Sequence, residues 1–77
     1  MERLTVKSSK IASIAYDAKQ EVFEVEMKTG VLFRHRQVPP HFWKECLLAK
    51  SIGKYYFNNI RDSFPYEMGR MEIEEEE

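Results

Sequence analysis

Cysteine is almost missing from this chain of 77 residues: Cys46 stands alone, so no intramolecular disulfide can form. A lone thiol fits a reducing, cytoplasmic setting, and that location is the expectation here. No continuous apolar run approaches the roughly 18 residues a membrane helix needs, which removes a membrane partner from consideration. Met1–Ser9 is polar and charged with no apolar signal-peptide core behind it. Glycine is scarce, at three residues, and no glycine-rich phosphate loop appears. Internal repeats and interdomain linkers are absent too, and a second core would not fit, so one domain is expected over residues 1–70. A chain this short buries only about 60% of its unfolded surface. Ten aromatic residues compensate, since each can bury a large apolar area.

Acid is unevenly placed. The net charge is −1, yet five glutamates sit in residues 71–77, MEIEEEE, which hold no base. The remaining twelve bases and eight acids leave residues 1–70 at +4. Five clustered like charges with one isoleucine do not offset the entropy of ordering, so residues 71–77 are expected to form a disordered acidic tail. Such a tail either solubilises the chain or folds back on a basic face and competes with polyanions. From Gly30 to Arg61, by contrast, aromatic and basic residues interleave and Glu45 is the one acid. That mixture suits either bases stacked on rings beside phosphate-binding cations or a small core whose cations face water.

Apolar spacing predicts a meander and then two helices. Lys10–Tyr16 alternates with Ile14 and Tyr16 in phase and reads as a strand, followed by a turn at Asp17–Gln20. Val22–Met27 puts Phe23, Val25 and Met27 on one side and Glu24 and Glu26 on the other, the period of a strand with one wet face. Lys28-Thr29-Gly30 is a hairpin loop with glycine where positive φ is cheap. Val31–Gln37 returns with Val31, Phe33 and His35 on one face and Leu32, Arg34 and Arg36 on the other, which sets Glu24 and Glu26 near Arg34 and Arg36 across the ladder. Pro39 and Pro40 end the sheet, and Pro40 opens a helix to about Lys50. Its buried stripe is Phe42, Cys46 and Ala49, flanked by Trp43 and Leu47. Ser51 caps a second helix from Ile52 to about Arg61. On that helix Ile52, Tyr56, Phe57 and Ile60 face inward, Lys54, Asn58 and Arg61 face outward, and Tyr55 lies at the boundary. Ser63–Tyr66 closes the domain, with Phe64 at the core edge.

No catalytic constellation stands out. Ser51-Ile52-Gly53-Lys54 has the Ser-x-x-Lys spacing of some acyl-enzymes, but a capping serine followed by an exposed lysine accounts for it better. His41 and Glu45 are four apart on one helix; two ligands do not make a metal site, and neither His35 nor Cys46 completes one. His35 lacks an orienting carboxylate on its strand face. The expectation is a binding module rather than an enzyme, with no metal and no cofactor.

The run Ser51-Ile52-Gly53-Lys54-Tyr55-Tyr56-Phe57-Asn58-Asn59-Ile60-Arg61, with Val6-Lys7-Ser8-Ser9, Ile14-Ala15-Tyr16-Asp17, Gly30 and Val38-Pro39 before it, resembles the KTSC domain. That module is named from the C-terminus of certain lysyl-tRNA synthetases and also occurs as small stand-alone bacterial and phage proteins. The resemblance runs from Val6 to Phe64. It implies no particular reaction; the synthetase context suggests RNA binding. Members usually carry Tyr-x-Tyr in the central strand, where this chain has Phe33-Arg34-His35, so two hydroxyls are lost while two flat rings remain.

These readings converge on an α+β domain: a small antiparallel meander of three to four strands followed by two short helices packed on one face. The expected function is weak, mainly electrostatic binding of RNA or another nucleic acid through Arg34, Arg36, Lys50, Lys54, Tyr55, Asn58 and Arg61. The competing reading is a protein-interaction or adaptor module, homodimeric through an open sheet edge, with the basic face merely solvated. Positive residues gathered beside Tyr55 favour the first; an apolar patch and an open edge favour the second.

Overall fold

In the computed structural model, which describes residues 1–70, the cleanly alternating segment forms β3, Val22–Met27. The Lys28–Gly30 turn leads from it to β4, Val31–His35. Gly30 has φ +93° and its amide donates to the Met27 carbonyl at 2.9 Å, the backbone state that glycine adopts without a Cβ penalty. β2, Ile11–Asp17, pairs with β3 on its other side. The register slips between Ile11 and Ser13, which restores Ile14 and Tyr16 to the phase of Val25 and Phe23.

Two strands extend the expected meander. β1, Glu2–Thr5, pairs antiparallel with β2, and β5, Tyr66–Arg70, pairs antiparallel with β4. The sheet therefore has five strands in chain order, β1-β2-β3-β4-β5, rather than three to four. β5 also means that the chain does not close at Tyr66. β4 stops at His35 because Gln37 takes the left-handed conformation, φ 64°. Glu21 has φ 56°, and its carbonyl accepts from the Val38 amide at 2.9 Å. That contact ties the β2–β3 turn to the segment entering the helices.

Pro40 opens α1, Pro40–Leu48, and α2 spans Ile52–Asn59. Each helix ends about two residues before its expected stop. The Ser51 hydroxyl accepts from the Lys54 amide at 3.1 Å, the cap the sequence predicts. Both helices lie on one face of the sheet, over Ile14, Phe23, Val25 and His35. Trp43 stacks on Tyr16 (5.7 Å between centroids) and meets Phe23 edge-on, while Tyr56 stacks on Phe23. Cys46, Tyr56 and Ile60 have no exposed surface, and Phe57, Ile52 and Phe42 pack around them. Phe64 reaches the core edge against Phe42. Leu47 departs from the expected stripe: it is exposed, as is Leu48 at 86%. The expected acidic tail, residues 71–77, lies outside the described residues.

Candidate functional site

Alternation along β3 and β4 fixes which polar residues can meet. Glu24 is opposite Arg34 in the register, on the sheet face away from the helices. Its carboxylate is 5% exposed; it accepts from Arg34 Nε at 2.7 Å and from Arg3 of β1. Arg3 also donates to Ser13 Oγ at 3.0 Å, and that hydroxyl donates to Glu26 Oε1 at 2.7 Å. The expected Glu24–Arg34 pair is therefore present, whereas Glu26 pairs with Ser13 and not with Arg36.

The seven candidate binding residues do not share one surface. Arg34 is held on the far face by Glu24. Arg36 is exposed just beyond β4, its amide donating to the Pro65 carbonyl at 2.9 Å. Lys50 is exposed between the helices, and Lys54 and Asn58 are exposed on α2. The Tyr55 hydroxyl donates to Glu45 Oε1 at 2.6 Å; desolvation first, and the neighbouring carboxylate next, push this phenol far above its ordinary value. Arg61 lies beyond the end of α2 instead of on its outer face. Its guanidinium sits over the rings of Phe33 (4.6 Å) and Tyr66 (4.7 Å), fastening β5 to the core side of the sheet.

Another set of cations does assemble. Two adjoining grooves share Ser9 and Lys10. The larger, about 490 Å³, has an apolar floor of Met27, Val31, Phe33 and Met68 and is rimmed by Lys10 and Lys28. The Lys28 amide donates to the Lys10 carbonyl at 2.8 Å, which holds these two residues side by side. The second groove, about 290 Å³, runs between the Ser8–Lys10 segment and the start of α2, where Ser51, Gly53, Lys54 and Phe57 line it. Lys10 Nζ stands 5.6 Å from the centre of the Phe57 ring.

Backbone packing builds that second groove. Ser8 Oγ accepts from the amides of Ile11 (3.2 Å) and Lys10 (3.3 Å), and a Cβ on Gly53 would come within 3.0 Å of the same oxygen. Glycine thus lets α2 close on the serine loop. Among the described residues, neither groove is lined by an aspartate or glutamate. A smaller hollow of about 220 Å³ on the opposite face contains Glu67 beside Arg34, so it lacks this uniform sign. Of the seven residues predicted from sequence, Lys54 lines the second groove and Arg61 covers Phe33, which lies in the floor of the larger one. Lys28, Ser8, Ser9 and Phe57 were not foreseen as site residues. The spacing gives no hint of them, because three separate elements bring them together.

Beneath the groove wall lies a buried polar pair. His35 and Tyr56 have no exposed surface; His35 Nε2 is 2.7 Å from the Tyr56 hydroxyl, and Nδ1 is 3.3 Å from the Phe64 carbonyl. A carbonyl only accepts, so Nδ1 carries the proton and Nε2 accepts from the tyrosine. Burial lowers the His35 pKa, outweighing the Phe64 carbonyl, which raises it, with the Arg61 charge lowering it further. His35 is thus a satisfied neutral core residue.

Comparison with known proteins extends over nearly the whole domain. A family model, the KTSC domain, matches residues 7–64. An uncharacterised protein of Stutzerimonas stutzeri strain A1501 is 38% identical over 60 residues, covering 78% of this chain and 83% of that one. A protein of Tsukamurella paurometabola is 25% identical over 59 residues, covering 77% and 88%. The crystal structure of a KTSC domain protein from Yersinia pestis superimposes with a TM-score of 0.83 at 24% identity, over 92% of this chain and 97% of that one. This likeness is one of fold.

Proposed function

We propose, for a chain that belongs to the KTSC domain family, that it is a non-enzymatic module binding single-stranded nucleic acid, RNA foremost, along the paired grooves. The observation that carries this reading is a lining free of acid among the described residues: Lys10, Lys28 and Lys54 stand around an apolar, partly aromatic floor, although residues 1–70 hold eight acids. Phosphates would meet the three lysines, and an unstacked base would lie against Phe33 or Phe57. A duplex keeps its bases paired and could use only the charges.

Fluorescence anisotropy with a ten-nucleotide RNA and a duplex of equal charge, across a salt series, tests the reading. Three phosphate contacts on a single strand give a log–log salt slope of about −2, or roughly a hundredfold loss between 50 and 500 mM salt. Lys10→Glu and Lys54→Glu are each expected to weaken binding by at least tenfold, whereas Arg34→Glu, on the opposite face, leaves it nearly unchanged. Equal losses from all three variants would sink the groove assignment. Absence of binding at low salt would sink the function.

A second reading rests on a different observation. β5 is exposed along its whole length, and its outer edge pairs with no described strand; Met68 is 62% exposed. Such an edge suits strand addition by a second copy or a partner protein. Sedimentation equilibrium distinguishes the two readings: a dimer broken by Met68→Lys supports the edge, and a monomer at high concentration removes self-association.

A further inference from the structure

We propose that the acidic segment of residues 71–77 docks in cis over the lysine-rimmed grooves and competes there with polyanionic ligands. This rests on the reading of those grooves as the binding surface and adds its regulation. Three observations carry it. The first is where the described chain ends: Arg70 is opposite Val31 in the β4–β5 register, and Val31 lines the larger groove together with Lys28. The described chain therefore ends beside the hairpin that closes one end of the larger groove, with the Arg70 side chain itself lining the hollow on the opposite face. The second is charge. Five glutamates without a base follow, while among the described residues Lys10, Lys28 and Lys54 are the charged side chains lining the two grooves. The third is reach. Seven extended residues span about 23–25 Å, whereas Lys10 and Lys28 are joined directly by a backbone hydrogen bond. Ile73 offers an apolar side chain for the floor of Met27, Val31 and Phe33.

Tethering makes the acidic segment a local ligand at an effective concentration in the millimolar range. A weak electrostatic contact is then enough to occupy the grooves at low salt. The same salt dependence that weakens nucleic-acid binding also weakens the internal contact.

The test uses the full chain with a nitroxide on Glu77→Cys in a Cys46→Ala background and reads paramagnetic broadening of backbone amides by NMR. At 20 mM salt the amides of Ser9, Lys10 and Gly53 are expected to lose at least half their intensity. At 500 mM salt, or with Lys10→Glu and Lys28→Glu combined, they are expected to recover. Broadening confined to β5 and the β3–β4 turn, or unchanged by salt, overturns the proposal. So does broadening that persists when the nitroxide sits on a separate copy of the chain, since docking would then be between molecules. An unlabelled pair guards against a label that disturbs folding: wild type and a chain with all five tail glutamates changed to glutamine should differ in amide shifts around Lys10 and Lys54, and identical shifts there overturn the proposal.

The same pair, titrated with the ten-nucleotide RNA, separates this inference from the function it builds on. The glutamine variant is expected to bind about five- to tenfold more tightly at low salt. Salt-sensitive broadening without RNA binding by either chain upholds the docking and removes the nucleic-acid reading. RNA binding of equal strength by both chains, without broadening, does the reverse.

Discussion

His35 is a histidine spent on the interior. Both ring nitrogens are occupied, and its pKa lies below the ordinary value chiefly through burial. In the unfolded chain it titrates near 6.5. Its contribution to stability is therefore fully present above about pH 6.5 and is lost as pH falls from there toward the lower folded value. Urea denaturation at pH 7.5 and pH 5.5 is expected to show the wild type weakening in acid and His35→Gln responding less steeply; equal slopes would argue against this role. His35→Phe, which leaves the Tyr56 hydroxyl unpaired, is expected to cost about 1–3 kcal/mol. Cys46 is a second interior residue: burial raises its thiol pKa to about 11, so the reactive thiolate is rare at neutral pH. Iodoacetamide should label it in the native protein at least a hundredfold more slowly than in urea. Phase along β4 was enough to place Phe33 and His35 on the core face. The pairing of His35 with Tyr56 was not legible, because it depends on α2 crossing that strand at one register.

At the scale of elements, the far face of the sheet depends on Glu24. This nearly buried carboxylate draws Arg3 and Arg34, from the strands on either side, onto β3. Removing the shared acid leaves Arg34 without its partner and Arg3 with Ser13 alone, whereas removing one arginine leaves the other paired. Glu24→Gln is accordingly expected to destabilise by about 1–3 kcal/mol and Arg34→Ala by under 1, measured by urea denaturation. Gly53 poses an opposite question. Alanine in a helix gains about 1 kcal/mol over glycine, but here its methyl would crowd Ser8 Oγ, and that atom is anchored by two backbone amides. Gly53→Ala alone should therefore be destabilising, and less so in a Ser8→Gly background; a double-mutant cycle with no coupling would refute the contact. β3, the start of α1 and the Ser51 cap were readable because alternation, a first-turn proline and a capping hydroxyl are local signals. β1 and β5 were not. Glu2–Thr5 holds one large apolar residue, and Tyr66–Arg70 is exposed throughout with a glycine inside. Each becomes a strand only because a neighbouring edge supplies its hydrogen bonds.

For the molecule as a whole, the same limit explains the candidate site. Helical spacing could collect Lys54, Asn58 and Arg61, yet the grooves take residues from the Ser8–Lys10 segment, the β3–β4 hairpin, α2 and β5. Charge bookkeeping foresaw a basic body and an acidic end, not which face the bases would occupy. The sheet's strand order has a consequence in time. Its first three pairings join neighbours in sequence and can close as hairpins within microseconds. The β4–β5 pairing must wait for both helices to be threaded between its partners, a closure of some thirty residues. Native-state hydrogen exchange should find the β5 amides opening well before those of β2 and β3. Met68 leaves the floor of the larger groove whenever β5 opens, so the groove proposed here for a ligand is the last to be assembled and the first to dissolve. A ligand seated there would act as the clasp that keeps the final strand shut.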